Sequence, residues 1–250
     1  MAAKAEKVEI DVRSETCTRH GEYIGSWQEP GPGGKLHWVG VPDCPECTKE
    51  RRMKKYSSNA CIPELYKDCS FENYVVYSCK YQEYAKRVLQ RYAFRFDGNS
   101  RNTPNILLTG SYGTGKDHLA YSILKQIMNN GHSGLVLDYK DFLSEVWRRK
   151  FDAIDYLEKL CEPDLLVINE IGRASKGTAA GDELFNLLNK RLQSLKPFVL
   201  VSNYDSEDLK EVWGDEGYEA IMERVRGETK TPIQLHLEWE SFRSPRFENN

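Results

Sequence analysis

The sequence predicts an α/β domain, a parallel sheet flanked by helices, preceded by a small zinc-ribbon-like module. Three observations carry this. From about Cys69 onward, short apolar runs alternate with helical patterns, as they do in α/β proteins. A glycine-rich turn follows the first strand-like run and leads directly into a helix. The first 60 residues are instead rich in Gly, Pro and charge, include the turn-forming run Glu29-Pro30-Gly31-Pro32-Gly33-Gly34, and hold two pairs of candidate metal ligands. The expected division is residues 1–60 for the module and its linker and 61–250 for the α/β domain.

Taken in order, Tyr81–Phe96 reads as a helix, and beyond Asp97–Asn105 the run Ile106-Leu107-Leu108-Thr109 reads as a buried strand. The next helix begins at Lys116 and continues through Ile127, with Leu119, Ile123 and Ile127 at helical spacing. Gly134-Leu135-Val136-Leu137 is a second strand, followed by an amphipathic helix over about Asp141 to Leu160, in one or two pieces. Leu165-Leu166-Val167-Ile168 is the third strand, Gly181–Leu195 a further helix, and Phe198-Val199-Leu200-Val201 the fourth strand.

A chain of 250 residues holds one large domain, or one ordinary domain and an appendage. Its 40% apolar and 29% charged residues are those of a globular protein. No apolar stretch approaches the roughly 20 residues needed to cross a bilayer. Met1–Glu15 lacks the apolar core of a secretory signal, so a cytoplasmic location without membrane contact is expected. A formal net charge of -3 offers no whole-protein attraction to nucleic acid, so any DNA contact has to be local. Seven cysteines without an export signal argue against a disulfide framework and for metal ligation plus buried thiols.

Gly110-Ser111-Tyr112-Gly113-Thr114-Gly115-Lys116 follows the first strand and opens a helix, the setting of a Walker A phosphate loop. Gly110, Gly113 and Gly115 let the backbone around Thr114 curl so that successive N–H groups face inward, and the helix N-terminus adds partial positive charge toward a phosphate. Lys116 then reaches the β- and γ-phosphates of ATP, or the terminal phosphate of ADP. The next residue is usually Ser or Thr, whose hydroxyl ligates Mg2+; here it is Asp117. A carboxylate is a hard-oxygen ligand for magnesium, yet it also adds negative charge beside an anionic nucleotide.

The third strand runs into Asn169-Glu170, at the distance from the phosphate loop where a Walker B pair of acids is expected. In P-loop ATPases the first acid holds the magnesium and the second orients the attacking water. Glu170 suits the second role, and Asn169 stands in the first as a neutral, weaker partner for a divalent cation. An acid is thus present at 117 and absent at 169. Either Asp117 supplies the charge that Asn169 lacks and ATP and Mg2+ both bind, or hydrolysis is crippled while binding survives.

Over about residues 68–247 the domain resembles the AAA+ part of the DnaC-type bacterial helicase loaders. The motifs that carry this are Cys69-Ser70-Phe71-Glu72-Asn73-Tyr74, Phe96-Asp97-Gly98-Asn99, Gly113-Thr114-Gly115-Lys116-Asp117-His118-Leu119-Ala120, Asp164–Gly172 and the tail Trp239-Glu240-Ser241-Phe242-Arg243-Ser244. The resemblance implies a P-loop AAA+ ATPase that loads a DnaB-type hexameric helicase onto single-stranded DNA in phage or bacterial replication. It implies self-assembly through the AAA+ interface, with weak ATP hydrolysis only in the assembly. It also implies roles for single residues. Asn203, in Ser202-Asn203, corresponds to a sensor that touches the γ-phosphate or the attacking water. Arg224 corresponds to a finger reaching a neighbouring subunit's ATP, with Arg226 the lesser candidate, and Arg243 to a second sensor in the same subunit. Phe142–Phe151 resembles the inserted helix that shapes a spiral around single-stranded DNA, and its basic run beside aromatics suits a phosphate track. A solvated helical face with Trp147 in the core fits the same residues.

Cys17-Thr18-Arg19-His20 and Cys44-Pro45-Glu46-Cys47 are two ligand pairs separated by 23 residues. Thiolates and an imidazole at this spacing select Zn2+, and four protein ligands close the site, so the metal is structural. A segment of this length with few apolar groups needs such a cross-link to fold. Cys61, Cys69, Cys79 and Cys161 read as buried or half-buried thiols. The zinc module sets the chain apart from cellular loaders and makes it similar to phage and prophage ones. Lys49, Arg51, Arg52, Lys54 and Lys55 suit either a nucleic-acid contact or a solvated linker. Two other functions remain open: an IstB-type transposition ATPase acting on duplex DNA, and a nucleotide-binding adaptor with weak hydrolysis.

Overall fold

The computed structural model describes residues 11–32, 35–41, 43–48, 50–51, 60–77, 80–149, 153–173, 178–227 and 231–242. The chain divides into two units, Met1–Lys55 and Tyr56–Asn250. In the first, β1 (Val12–Cys17), β2 (Gly21–Pro30) and β3 (Leu36–Gly40) form an antiparallel sheet in the order β1-β2-β3. This sheet was not legible in the sequence. Gly25 alone among its strand residues is buried, so the strands have no core face to impose an alternating apolar pattern.

In the second unit β4 (Ile106–Gly110), β5 (Gly134–Asp138), β6 (Leu165–Asn169), β7 (Phe198–Val201) and β8 (Ile233–Leu237) form a parallel sheet in the order β5-β6-β7-β4-β8. Around it lie α1 (Lys80–Phe94), α2 (Lys116–Asn129), α3 (Tyr139–Arg149), α4 (Ala153–Cys161), α5 (Thr178–Gln193), α6 (Ser206–Trp213) and α7 (Asp215–Arg226). Alternation along each strand sorts its side chains between two cores. Ile106, Leu108, Leu165, Val167, Val199 and Val201 pack with Leu119, Ile123 and Ile127 of α2 and with Ala85 and Leu89 of α1. Leu107, Leu166, Ile168, Phe198 and Leu200 take the opposite face, against Phe142 of α3, Leu184 and Leu188 of α5 and Trp213 of α6. Covered on both faces, these strands are continuously apolar, the form in which a parallel strand is easiest to see in a sequence.

The expected Asp141–Leu160 helix is two, α3 and α4. Helices α6 and α7 and the edge strand β8 were not anticipated. Asp205 starts α6 with a reciprocal capping box to Asp208, and Gly214, with φ of 77°, turns the chain into α7. Of the thiols expected to be buried, Cys69 is buried and Cys161 half-buried, but Cys61 is exposed; Cys79 lies outside the described residues. Trp147 is 46% exposed rather than packed in the core, because Phe142, Leu143 and Val146 occupy the buried face of α3. Among the described residues no helix is long and apolar enough to cross a membrane.

Arg191 of α5 is fully buried. It donates to the carbonyls of Leu160 at 2.7 Å, Pro163 at 3.1 Å and Pro197 at 2.7 Å, tying the end of α4 to the segments that lead into β6 and β7. Desolvation pulls its pKa down to about 10. Arg191→Met keeps the aliphatic stem but leaves those carbonyls without a donor. A loss of roughly 3 kcal/mol is expected, read as a lower urea midpoint at unchanged slope.

Candidate functional site

Strand β4 ends in Gly110, whose φ is 130°. A Cβ there would lie 2.1 Å from the carbonyl oxygen of Leu237, so the close approach of β8 admits only glycine. The chain then turns through Ser111–Gly115 and enters α2 at Lys116, with Gly113 and Gly115 at positive φ. Three groups hold the loop carbonyls from outside. Gly113 O accepts from Phe242 N at 2.9 Å, and Thr114 O accepts from Trp239 Nε1 at 2.8 Å and the Tyr74 hydroxyl at 3.3 Å. In a trans peptide the following N–H points the opposite way, so the N–H groups of Thr114 and Gly115 face away from these partners. Thr114 Oγ1 donates to Ser111 O at 2.9 Å. Lys116, 4% exposed, donates to Gly110 O at 2.9 Å and to Ser111 O at 2.7 Å.

The loop borders a cavity of about 630 Å³, a volume suited to a nucleotide-sized ligand. Lys116 and Asp117 of α2, Glu170 after β6, and Asn203 after β7 all line it, with Tyr66 and Tyr74 from the segment before α1. Their convergence follows from the sheet order. Strand β7 lies between β4 and β6, so its carboxyl end opens between the phosphate loop and Glu170, at the strand edge where open α/β sheets bind ligands. Ser202 fixes that corner, its N–H donating to Leu108 O at 2.9 Å and its hydroxyl to Ile171 O at 2.9 Å. Glu170 has φ of 56°, a left-handed conformation uncommon outside glycine that concentrates at functional sites. Its carboxylate pairs with Arg173 at 2.5 Å.

Asn169 is 7% exposed. Its Nδ2 donates to the Tyr121 hydroxyl, and its Oδ1 has no hydrogen-bond partner among the described residues. Asp117 Oδ2 accepts from the Tyr66 hydroxyl at 3.3 Å, and the Tyr66 and Tyr121 rings meet at 4.7 Å. Tyr66, Tyr121 and Arg173 had no signal in the sequence; Tyr74 and Trp239 stood inside motifs but without a legible role. Arg224 does not line the cavity. It donates to Asn189 Oδ1 at 3.1 Å and lies over the Phe185 ring at 4.6 Å. Arg226, 52% exposed, pairs loosely with Glu219 at 3.5 Å. Arg243 lies outside the described residues, as do Lys49, Arg52, Lys54, Lys55, Lys150 and Phe151. Arg148 and Arg149 both pair with Glu145, which they hold down to a pKa of about 2.

In the smaller unit the donor atoms of Cys17, His20, Cys44 and Cys47 all lie within 4.8 Å of one another. The spacings Cys17 Sγ to Cys47 Sγ, 3.6 Å, and His20 Nδ1 to the sulfurs of Cys17, Cys44 and Cys47, 3.7, 3.7 and 3.4 Å, can be compared with a zinc site. They match the edges of about 3.4–3.8 Å that Zn–S and Zn–N bond lengths give a tetrahedron. The backbone N–H groups of Arg19 and His20 face the Cys17 sulfur and lower its pKa, while the adjacent Cys17 sulfur pushes the Cys47 thiol up, so the pair favours a single thiolate unless a cation joins them. His20 Nε2 meets Glu50 Oε1 at 3.0 Å and Arg19 meets the other oxygen at 2.5 Å. A carboxylate on the far ring nitrogen fixes the tautomer that leaves Nδ1 free to ligate. Glu50 was missed in the sequence.

The chain matches the family described as IstB-like ATP binding protein over residues 46–245. It belongs to that family. Within this IstB-like chain, 197 residues are 29% identical to the replicative helicase loader DnaC of Escherichia coli (strain K12), covering 77% of the chain and 76% of the relative. The crystal structure of the DnaC helicase loader superposes with a TM-score of 0.58 at 20% identity, over 71% of this chain and 100% of that one. That of DnaI superposes with 0.58 at 18% identity, over 73% and 95%. The IstB-like chain therefore has the AAA+ fold, with its Gly110–Lys116 loop braced from outside by Trp239 and Tyr74. Trp239→Phe removes the indole donor from Thr114 O. It is expected to lower stability by about 1 kcal/mol and to weaken ATP binding several-fold in calorimetry, with the phosphate-loop sequence untouched.

Proposed function

We propose that this chain is an ATP-dependent loader that delivers a DnaB-type hexameric helicase to single-stranded DNA in phage or bacterial replication. The observation that carries the reading is a single cavity lined by Lys116, Asp117, Glu170 and Asn203, in a chain that shares 29% identity with a DnaC loader across most of both proteins. The backbone from Gly110 through Gly113, Thr114 and Gly115 cradles the triphosphate. Lys116 exchanges its bonds to neutral carbonyls for stronger charge-assisted bonds to phosphate oxygens. Glu170, once released from Arg173, orients the attacking water, and Asn203 holds that water or a γ-phosphate oxygen. Asp117 and Asn169 would hold magnesium, which would supply positive charge beside the phosphates. Arg224, after leaving Asn189, or the more exposed Arg226, reaches the ATP of a neighbouring subunit, so a lone subunit turns over slowly; Arg243 contacts phosphate in its own subunit. Trp147, exposed beside Arg148 and Arg149, offers a stacking surface for single-stranded DNA. Cys17, His20, Cys44 and Cys47 hold one structural Zn2+.

The family match favours one second reading, an IstB-type ATPase acting on duplex DNA. Co-elution separates the two. A loader forms a complex with a DnaB-type hexamer in ATP and Mg2+, and Lys116→Ala, with ATP affinity lowered roughly 30-fold or more, changes how that complex responds to nucleotide. ATP-dependent filaments on duplex DNA, with no helicase complex, would overturn the loader in favour of the second reading. For the smaller unit, elemental analysis is expected to give one zinc per chain. A chelator should unfold Met1–Lys55, and Glu50→Gln should weaken zinc binding roughly tenfold in a competition titration.

A further inference from the structure

We propose that Tyr121 lets Asn169 serve on the magnesium side of the nucleotide site, by holding its amide so that Oδ1 faces the cation, and that Asp117 supplies the carboxylate. This rests on reading the cavity as an ATP site. The starting point is an atom with nothing to bond. Asn169 Oδ1 is buried at the carboxyl end of β6 without a partner among the described residues. A buried acceptor left in that state is costly unless an ion, a water or a ligand meets it.

The other end of the same amide is already committed. Nδ2 donates to the Tyr121 hydroxyl, so the group offers its oxygen, the atom that a hard divalent cation or its bound water accepts. Turned the other way, the NH2 would oppose a cation. Asp117 stands four residues before Tyr121 on the same face of α2 and lines the cavity beside Lys116. Tyr66 donates to Asp117 Oδ2 at 3.3 Å while its ring packs on Tyr121 at 4.7 Å, which links the carboxylate and the amide through two packed tyrosines. The site therefore offers one carboxylate and one neutral oxygen. That is the formal charge of a hydroxyl followed by an acid, with the two positions exchanged.

Exchanging the charges tests this on the full chain. Affinity for a non-hydrolysable ATP analogue is measured by calorimetry with and without Mg2+, and Mn2+ bound with the nucleotide is counted by electron paramagnetic resonance. Asp117→Asn is expected to lose most of the gain that Mg2+ gives, without weaker Mg2+-free binding, since a negative charge beside the phosphates has gone. Adding Asn169→Asp is expected to restore the Mg2+ gain. Tyr121→Phe keeps the ring and is expected to weaken Mn2+ binding roughly tenfold with little change in Mg2+-free affinity, a split that a purely structural role would not produce. If the double variant does not fold by thermal melting, the Asp117→Asn and Tyr121→Phe results decide. Full Mg2+ dependence in Asp117→Asn, or unchanged Mn2+ binding in Tyr121→Phe, overturns the proposal. Wild-type protein that binds the analogue with no response to metal overturns it while leaving the nucleotide reading intact. Wild-type protein that binds no nucleotide removes both.

Discussion

The direction in which two peptide planes face decides whether the larger unit has an anion site at all. Gly113 O and Thr114 O are held from outside by Phe242 N, Trp239 Nε1 and the Tyr74 hydroxyl, and planar trans peptides then turn the next two N–H groups the other way. The glycines permit this curl, but permission is not selection, because a glycine-rich turn has many conformations. Selection comes from segments far apart in the chain, the residue after the Ser70–Asn73 turn and the tail beyond β8. A Cβ at Gly115 would sit 2.7 Å from the Tyr74 ring, which shows how tightly that outer wall is applied. The inner N–H groups are therefore oriented by segments that precede and follow the loop at long range in the sequence.

The sheet supplies the other half of the geometry. With β7 between β4 and β6, residues separated by long stretches of sequence reach one edge within a few ångströms of strand spacing. Two cores, one on each face, hold the strands in place, and close-packed interiors of this kind deform little. Against that rigid frame the departures from ideal geometry sit at the edge where the chemistry would occur: Glu170 at positive φ, paired to Arg173, and Asn169 with an unmatched buried oxygen. Departures at a strand edge supported by a well-packed sheet mark function more than poor folding.

The smaller unit solves a different problem. Its sheet buries almost none of its strand side chains, so apolar burial contributes little to its stability. The donor atoms of Cys17, His20, Cys44 and Cys47, drawn from the end of β1, the turn after it and the helical turn at Pro45, meet within 4.8 Å of one another, and a cation held among them would take the role that a core plays in the larger unit. Glu50 reaches this cluster through His20 rather than directly.

What the sequence determined by itself was whatever is local. Apolar runs covered on both faces marked β4, β5, β6 and β7; helical spacing marked α2; and glycines followed by Lys116 marked the phosphate loop. The two Cys/His pairs could be read as well, because knuckle ligands recur at fixed short spacing. What only the tertiary structure decided was whatever depends on distant segments meeting. It put Trp239 and Tyr74 behind the loop, Tyr121 on the amide of Asn169, Glu50 on His20, and Trp147 at the surface. Strands β1 to β3 have no core face, so their alternation was too weak to read; β8, Ile233-Gln234-Leu235-His236-Leu237, does alternate but is a single edge strand after a stretch of polar sequence, and α6 and α7 are set by a capping box and a glycine turn. Periodicity records which face of an element is buried, but not which partner buries it, and hydrogen bonds between side chains far apart in sequence leave no pattern along the chain.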